Sequence, residues 1–87
     1  MERIDIKFTI DERELIVNQT FAGDDLTESL HKAKVEGNYI KVSYTLNEIE
    51  DLAGFIAAEA NHAEEKKLQK KLDALYDKIS NIEDKHL

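Results

Sequence analysis

The sequence predicts an α+β fold: a small three-stranded antiparallel sheet with one short helix, in the order ββαβ, followed by a long C-terminal helix or helical hairpin. Two segments, "RIDIKFTID" and "YIKVSYTL", alternate hydrophobic and polar residues with the period of a half-buried strand. The last roughly 40 residues contain no helix breaker stronger than Gly54. At 87 residues the chain has the length of one domain, which we divide into a sheet-containing head, residues 1–46, and a helical region, residues 47–87.

Three strands are predicted from the alternation. The inward residues of the first are Ile4, Ile6, Phe8 and Ile10. "LIVNQTF" places Leu15, Val17 and Phe21 on one face, which predicts a hairpin partner joined by the polar loop "DERE". The third strand follows a turn at Gly37-Asn38, and its inward residues are Ile40, Val42, Tyr44 and Leu46.

Two helix starts are predicted from capping boxes. In "DDLTESLHKAKVEGN", Asp25 and Glu28 have capping-box spacing, Gly37 stands in a stop position, and Leu26, Leu30 and Ala33 repeat with a helical period. Thr45 and Glu48 form a second capping box, which begins the C-terminal helical region.

The helical region carries two hydrophobic stripes that do not line up. The first consists of Ile49, Leu52, Ala53, Ile56, Ala60 and Ala63. The second consists of Leu68, Leu72, Leu75, Ile79 and Ile82, about 100° further round the helix. Because the stripe shifts between Asn61 and Lys67, either the chain turns near Asn61-His62 or the two halves are buried against different partners.

The second stripe has the 4, 3, 4, 3 spacing of a heptad core, so we predict that its five residues form the interface of a homodimer. In a parallel pair, Lys78 of one chain would face Glu83 of the other. Packing within a single chain is the alternative, because the stripe spans fewer than three heptads.

Charge is distributed unevenly along the chain. The net charge is −7, and residues 1–60 hold all of it, with six Lys and Arg against thirteen Asp and Glu. This excess argues against direct binding of nucleic acid. The predicted partner surface consists of Phe55, Asp11, Glu12, Glu14, Asp24 and Asp25. The lysine cluster, defined as Lys66, Lys67, Lys70 and Lys71, either contacts phosphates or an acidic partner or is a solvated helix face.

No catalytic constellation is recognised, so an enzyme is not predicted. All three histidines follow a glutamate by three residues, in Glu28/His31, Glu59/His62 and Glu83/His86. Glu-x-x-His pairs bind metals in helical bundles when further carboxylates face them across an apolar core. These pairs lie in highly charged segments, which favours a solvated helix face, and no metal or cofactor is predicted.

These observations lead to a functional hypothesis. We expect a cytoplasmic protein-protein interaction or regulatory module that self-associates through its C-terminal helix. The alternative is an acidic inhibitor that mimics nucleic acid and blocks an enzyme that handles DNA or RNA. The cytoplasm is expected because the sequence has no cysteine, no signal-peptide pattern and no apolar run long enough to span a membrane.

Overall fold

A computed structural model describes residues 2–20 and 22–86 and confirms the α+β class. The order of elements is β1 (Ile4–Thr9), α1 (Ile10–Gln19), α2 (Asp24–Lys32), β2 (Val35–Glu36), β3 (Tyr39–Tyr44), α3 (Leu46–His62) and α4 (Lys66–His86). The sheet has the order β1-β3-β2, and both strand pairs are antiparallel. Its inner face packs with the helices into one hydrophobic core.

The predicted second strand is wrong, because Ile10–Gln19 forms helix α1. Thr9 ends β1 and caps the helix: its hydroxyl accepts a hydrogen bond from the Glu12 amide at 3.1 Å, and its own amide donates to the Glu12 carboxylate at 2.7 Å. The polar "DERE" therefore forms the first turn of a helix. Ile16 is the residue of this helix that is fully buried, while Phe21 lies outside the described residues.

The sheet reaches three strands by a different route from the predicted ββαβ order. The turn at Gly37-Asn38 is confirmed, and Gly37 has a φ of +66°, which favours glycine. The chain enters this turn from the two-residue strand β2, which pairs Glu36 with Tyr39. The main pairing is between the two strands predicted by alternation, β1 and β3, with Ile6 opposite Val42.

Helix α2 begins two residues earlier than predicted. Its N-cap is Gly23, which makes no side-chain cap bond, so the predicted capping box of Asp25 and Glu28 is wrong. Asp24 and Asp25 both lie in the first turn, where negative charge complements the helix dipole. The helix ends at Lys32, well before Gly37.

The C-terminal region is a helical hairpin, the second of the two predicted forms. The capping box at Thr45 and Glu48 is confirmed at the start of α3, which passes through Gly54 without interruption. Helix α3 ends at His62 and α4 begins at Lys66, so the chain turns directly after Asn61-His62. The hairpin explains the stripe shift, since each helix directs its own stripe toward the same core.

Tyr44 anchors the sheet to α2. Its side chain is fully buried, and its hydroxyl donates a 2.6 Å hydrogen bond to the Leu26 carbonyl. Burial raises the pKa of this hydroxyl well above its usual value, and the nearby charge of Glu48 adds to the effect.

Tyr44→Phe tests this anchor through pH. The unfolded chain releases the tyrosine proton above about pH 10, whereas the folded chain retains it. The contribution of Tyr44 to the free energy of unfolding is therefore fully present below about pH 10. Above that pH the contribution falls, by up to about 1.4 kcal/mol per pH unit. We expect Tyr44→Phe to be less stable by about 1 kcal/mol at pH 8, and the difference to vanish near pH 11, in urea unfolding of both proteins. If the unfolding free energies of the native chain and Tyr44→Phe changed with pH in parallel, this account would be contradicted.

Candidate functional site

The second stripe is packed within the chain. Leu72, Leu75 and Ile79 are exposed by only 0, 1 and 0%, respectively. Leu68 and Ile82 are half-buried against the same core. Intrachain packing, the alternative stated above, thus accounts for the heptad-like spacing. A dimer that uses these five residues has to pull α4 away from its own chain.

Lys78 lies beside this stripe and ties α4 to the first strand and helix. Its ammonium group donates hydrogen bonds to the Glu12 carboxylate, at 2.7 Å, and to the Lys7 carbonyl. It also lies 5.1 Å from the centre of the Phe8 ring. This intrachain pairing differs from the interchain pairing with Glu83 that the heptad register suggested. No local sequence pattern predicts it, because Glu12 and Lys78 lie 66 residues apart.

A surface groove runs between α1 and the start of α4. It consists of two adjoining hollows, of about 180 and 280 Å³, which share Leu15, Gln19 and Lys71. Asp11, Glu14 and Asn18 complete the first hollow, and Glu65, Lys67 and Leu68 complete the second. The half-buried Leu15 and Leu68 supply apolar surface, and the charged residues lie along both helices.

The lysine cluster occupies the first two turns of α4, beside this groove. All four side chains are exposed, and none forms an ion pair with any residue in the ranges 2–20 and 22–86. Lys66/Lys70 and Lys67/Lys71 are like-charged pairs at i, i+4, a spacing that destabilises a helix. The cluster also lies at the positive end of the helix dipole, where cations are unfavourable.

The cations of the open sheet face differ, because they have partners in the chain. Lys41 pairs with Asp5 at 3.6 Å, and Lys7 lies 5.0 Å from the centre of the Tyr39 ring. Ser43 donates a hydrogen bond to Asp5, which lowers the pKa of that carboxylate. Eight Lys and Arg side chains in residues 2–20 and 22–86 have no ion pair. Four of them form the lysine cluster, and the other four are dispersed: Arg3, Lys7, Lys34 and Lys85.

The predicted partner surface is dispersed in the structure. Phe55 is half-buried and packs against the core. Glu12 is engaged by Thr9 and Lys78, and the carboxylate of Glu14 accepts hydrogen bonds from Arg13 and Asn18. The remaining three residues, Asp11, Asp24 and Asp25, are exposed in the first turns of two different helices.

The histidine pairs were the candidate metal ligands. Within residues 2–20 and 22–86, no three His, Asp or Glu side chains lie together in a way that could hold a metal ion.

None of the helices in the described part of the chain has both the length and the apolar character required to cross a membrane.

Comparisons of this chain with protein-family models, with curated proteins and with solved structures found no match.

Proposed function

We propose that this chain is a small protein-protein interaction module whose contact surface is the lysine cluster at the start of α4. The supporting observation is that four exposed lysines within two helical turns have no ion-pair partner in the described chain. Residues 64–71 contain four Lys and two Glu, a net charge of +2 in a chain whose total is −7.

This arrangement is unfavourable in the isolated molecule. Each like-charged pair costs about 0.2–0.5 kcal/mol, and cations near a helix N-terminus cost a similar amount each. A partner surface of opposite charge offsets both costs, because each lysine then gains a counter-charge. The cluster therefore fits a binding surface better than it fits a solvated face selected only for stability.

The predicted dimer takes a specific form under this proposal. Self-association through Leu72 and Leu75 would require exchange of α4 between chains, since both residues are buried in the core of one chain. The exposed lysine cluster offers a contact on the same helix that needs no unfolding. Self-association through the C-terminal helix stays a prediction, and its surface shifts from the buried stripe to the exposed start of α4.

The test combines stability with binding in one variant, in which all four lysines of the cluster are replaced by Gln. We expect its free energy of unfolding to rise by about 1 kcal/mol, because like charges are removed from the positive end of a helix. Cross-linking of the tagged chain in extracts of cells that make it should recover a protein contact with the native chain and lose it with the variant.

The matched control is Lys7→Gln with Lys41→Gln, which removes cations that already have intrachain partners. We expect the control to gain no stability and to retain the cross-linked contact. Loss of stability in the four-lysine variant would contradict the proposed cost, and an unchanged cross-linking pattern would contradict the proposed function.

A further inference from the structure

We propose that the groove between α1 and α4 is a self-complementary face through which two copies of this chain form a two-fold symmetric dimer. This inference rests on the proposed function and names a second copy of the chain as the partner of the lysine cluster. It is carried by the opposite charges of the two helices that border the groove.

The two segments that border the groove carry formal charges of opposite sign. Helix α1, residues 10–19, contains three acidic residues and one Arg, a net charge of −2. Residues 64–71 carry +2, from four Lys and two Glu. The candidate contact residues Asp11, Glu14, Lys67 and Lys71 are all exposed.

These opposite charges do not neutralise each other within the chain. Lys71 borders the same hollow as Asp11 and Glu14, yet none of the ion pairs in residues 2–20 and 22–86 joins α1 to the lysine cluster. Glu12 of α1 already pairs with Lys78 of α4, and Glu14 pairs with Arg13, so Asp11 is the acidic residue of α1 that has no ion pair in the described residues. A second copy seated on the groove supplies the missing counter-charges.

Two-fold symmetry matches this pattern. In an isologous interface, residue i of one copy contacts residue j of the other, and residue j contacts residue i. A rotation of 180° about an axis that runs along the groove, in the plane between the two copies, therefore sets the acidic α1 of each copy against the lysine cluster of the other. Leu15, which borders both hollows, lies where the two copies meet and contributes apolar contact.

The surface area that a stable dimer interface must bury is available on a domain of this size. A standard interface buries about 800 Å² on each partner, and the accessible surface of this chain is 5702 Å².

Because the charged pairs lie at exposed positions, the dimer should weaken as salt increases. We expect its Kd to rise roughly tenfold between 50 and 500 mM salt.

A charge-swap experiment tests the interface. One variant carries Lys67→Glu and Lys71→Glu, and the other carries Asp11→Lys and Glu14→Lys. Each variant alone presents charge of one sign to its own copy and should be monomeric in sedimentation equilibrium at a concentration where the native chain is dimeric. Mixed in equal amounts, the two should form a heterodimer, because each supplies the charge that the other has lost.

Circular dichroism establishes that both variants are folded, and Lys7→Glu with Lys41→Glu is the control that leaves the dimer intact. A native chain that stays monomeric at millimolar concentration overturns the inference, as does a mixture that fails to associate. A dimer that survives both reversals also overturns it and points to exchange of α4. In each of these cases, a cross-linked contact with another protein would still support the interaction module.

Discussion

Leu72→Asp is expected to abolish folding of the isolated chain. Leu72 is completely buried in α4, and its stripe packs in the same core as α3 and the sheet. Truncation of a buried leucine alone costs about 2–5 kcal/mol, and an unpaired carboxylate at the same place adds several more. A domain of this length has a total stability of roughly 4–13 kcal/mol. Far-ultraviolet circular dichroism and urea titration measure the loss.

Ala74→Asp is the matched control, because it introduces the same side chain two residues away on the exposed face of α4. We expect this variant to fold and to lose about 1 kcal/mol or less, mostly through the lower helix propensity of Asp. A folded, monomeric Leu72→Asp protein would show that α4 does not pack on its own chain. Substitutions of Leu72 therefore report on the core, and they are unsuitable for testing dimerisation.

Glu12→Ala is expected to lower the free energy of unfolding by about 2–3 kcal/mol, which is clearly more than the loss of a helix cap alone would lower it. The Glu12 carboxylate accepts hydrogen bonds from the Thr9 amide and from the Lys78 ammonium group, so its removal breaks a capping box and leaves Lys78 without its counter-charge. A cap contributes about 1 kcal/mol. An unpaired, partly buried charge accounts for the remainder.

The chain supplies its own control in Glu48→Ala, since Glu48 forms the same capping box with Thr45 and has no lysine partner in the described residues. We expect the free energy of unfolding of this variant, measured in urea, to fall by about 1 kcal/mol. Lys78→Met, alone and combined with Glu12→Ala, completes a double-mutant cycle with a coupling energy near 1 kcal/mol. Equal costs for the two glutamates, or a coupling of zero, would show that the Lys78 contact contributes nothing.

The contrast between the two capping boxes explains what the sequence predicted and what it did not. "TIDE" at residues 9–12 and "TLNE" at residues 45–48 have the same spacing, and each begins a helix directly after a strand. Only the second is predicted from the sequence pattern. In the first, strand alternation runs on to Ile10, and a polar segment between two hydrophobic runs resembles a hairpin loop. The identical T-x-x-E spacing at residues 9–12 and 45–48 is the sequence pattern that indicates a helix start at α1.

The stripe of α4 illustrates a second limit. Its period predicts an amphipathic helix, and the stripe shift allows either a turn near Asn61-His62 or burial of the two halves against different partners. The period is the same for intrachain and interchain burial. The choice depends on how the hairpin closes over the sheet, which is a tertiary property. The groove beside the lysine cluster was likewise hidden, because Leu15 and Leu68 come together only when α1 and α4 pack.

The placement of Leu72, Leu75 and Ile79 in the core has a consequence for synthesis on the ribosome. Residues Ile4 to Ala60 contribute the rest of that core, and they emerge before its final layer does. Until α4 has left the exit tunnel, the inner side of the sheet and α3 lack their covering helix. Complete burial of this core therefore waits for translation of α4, and apolar surface stays exposed to solvent in the meantime.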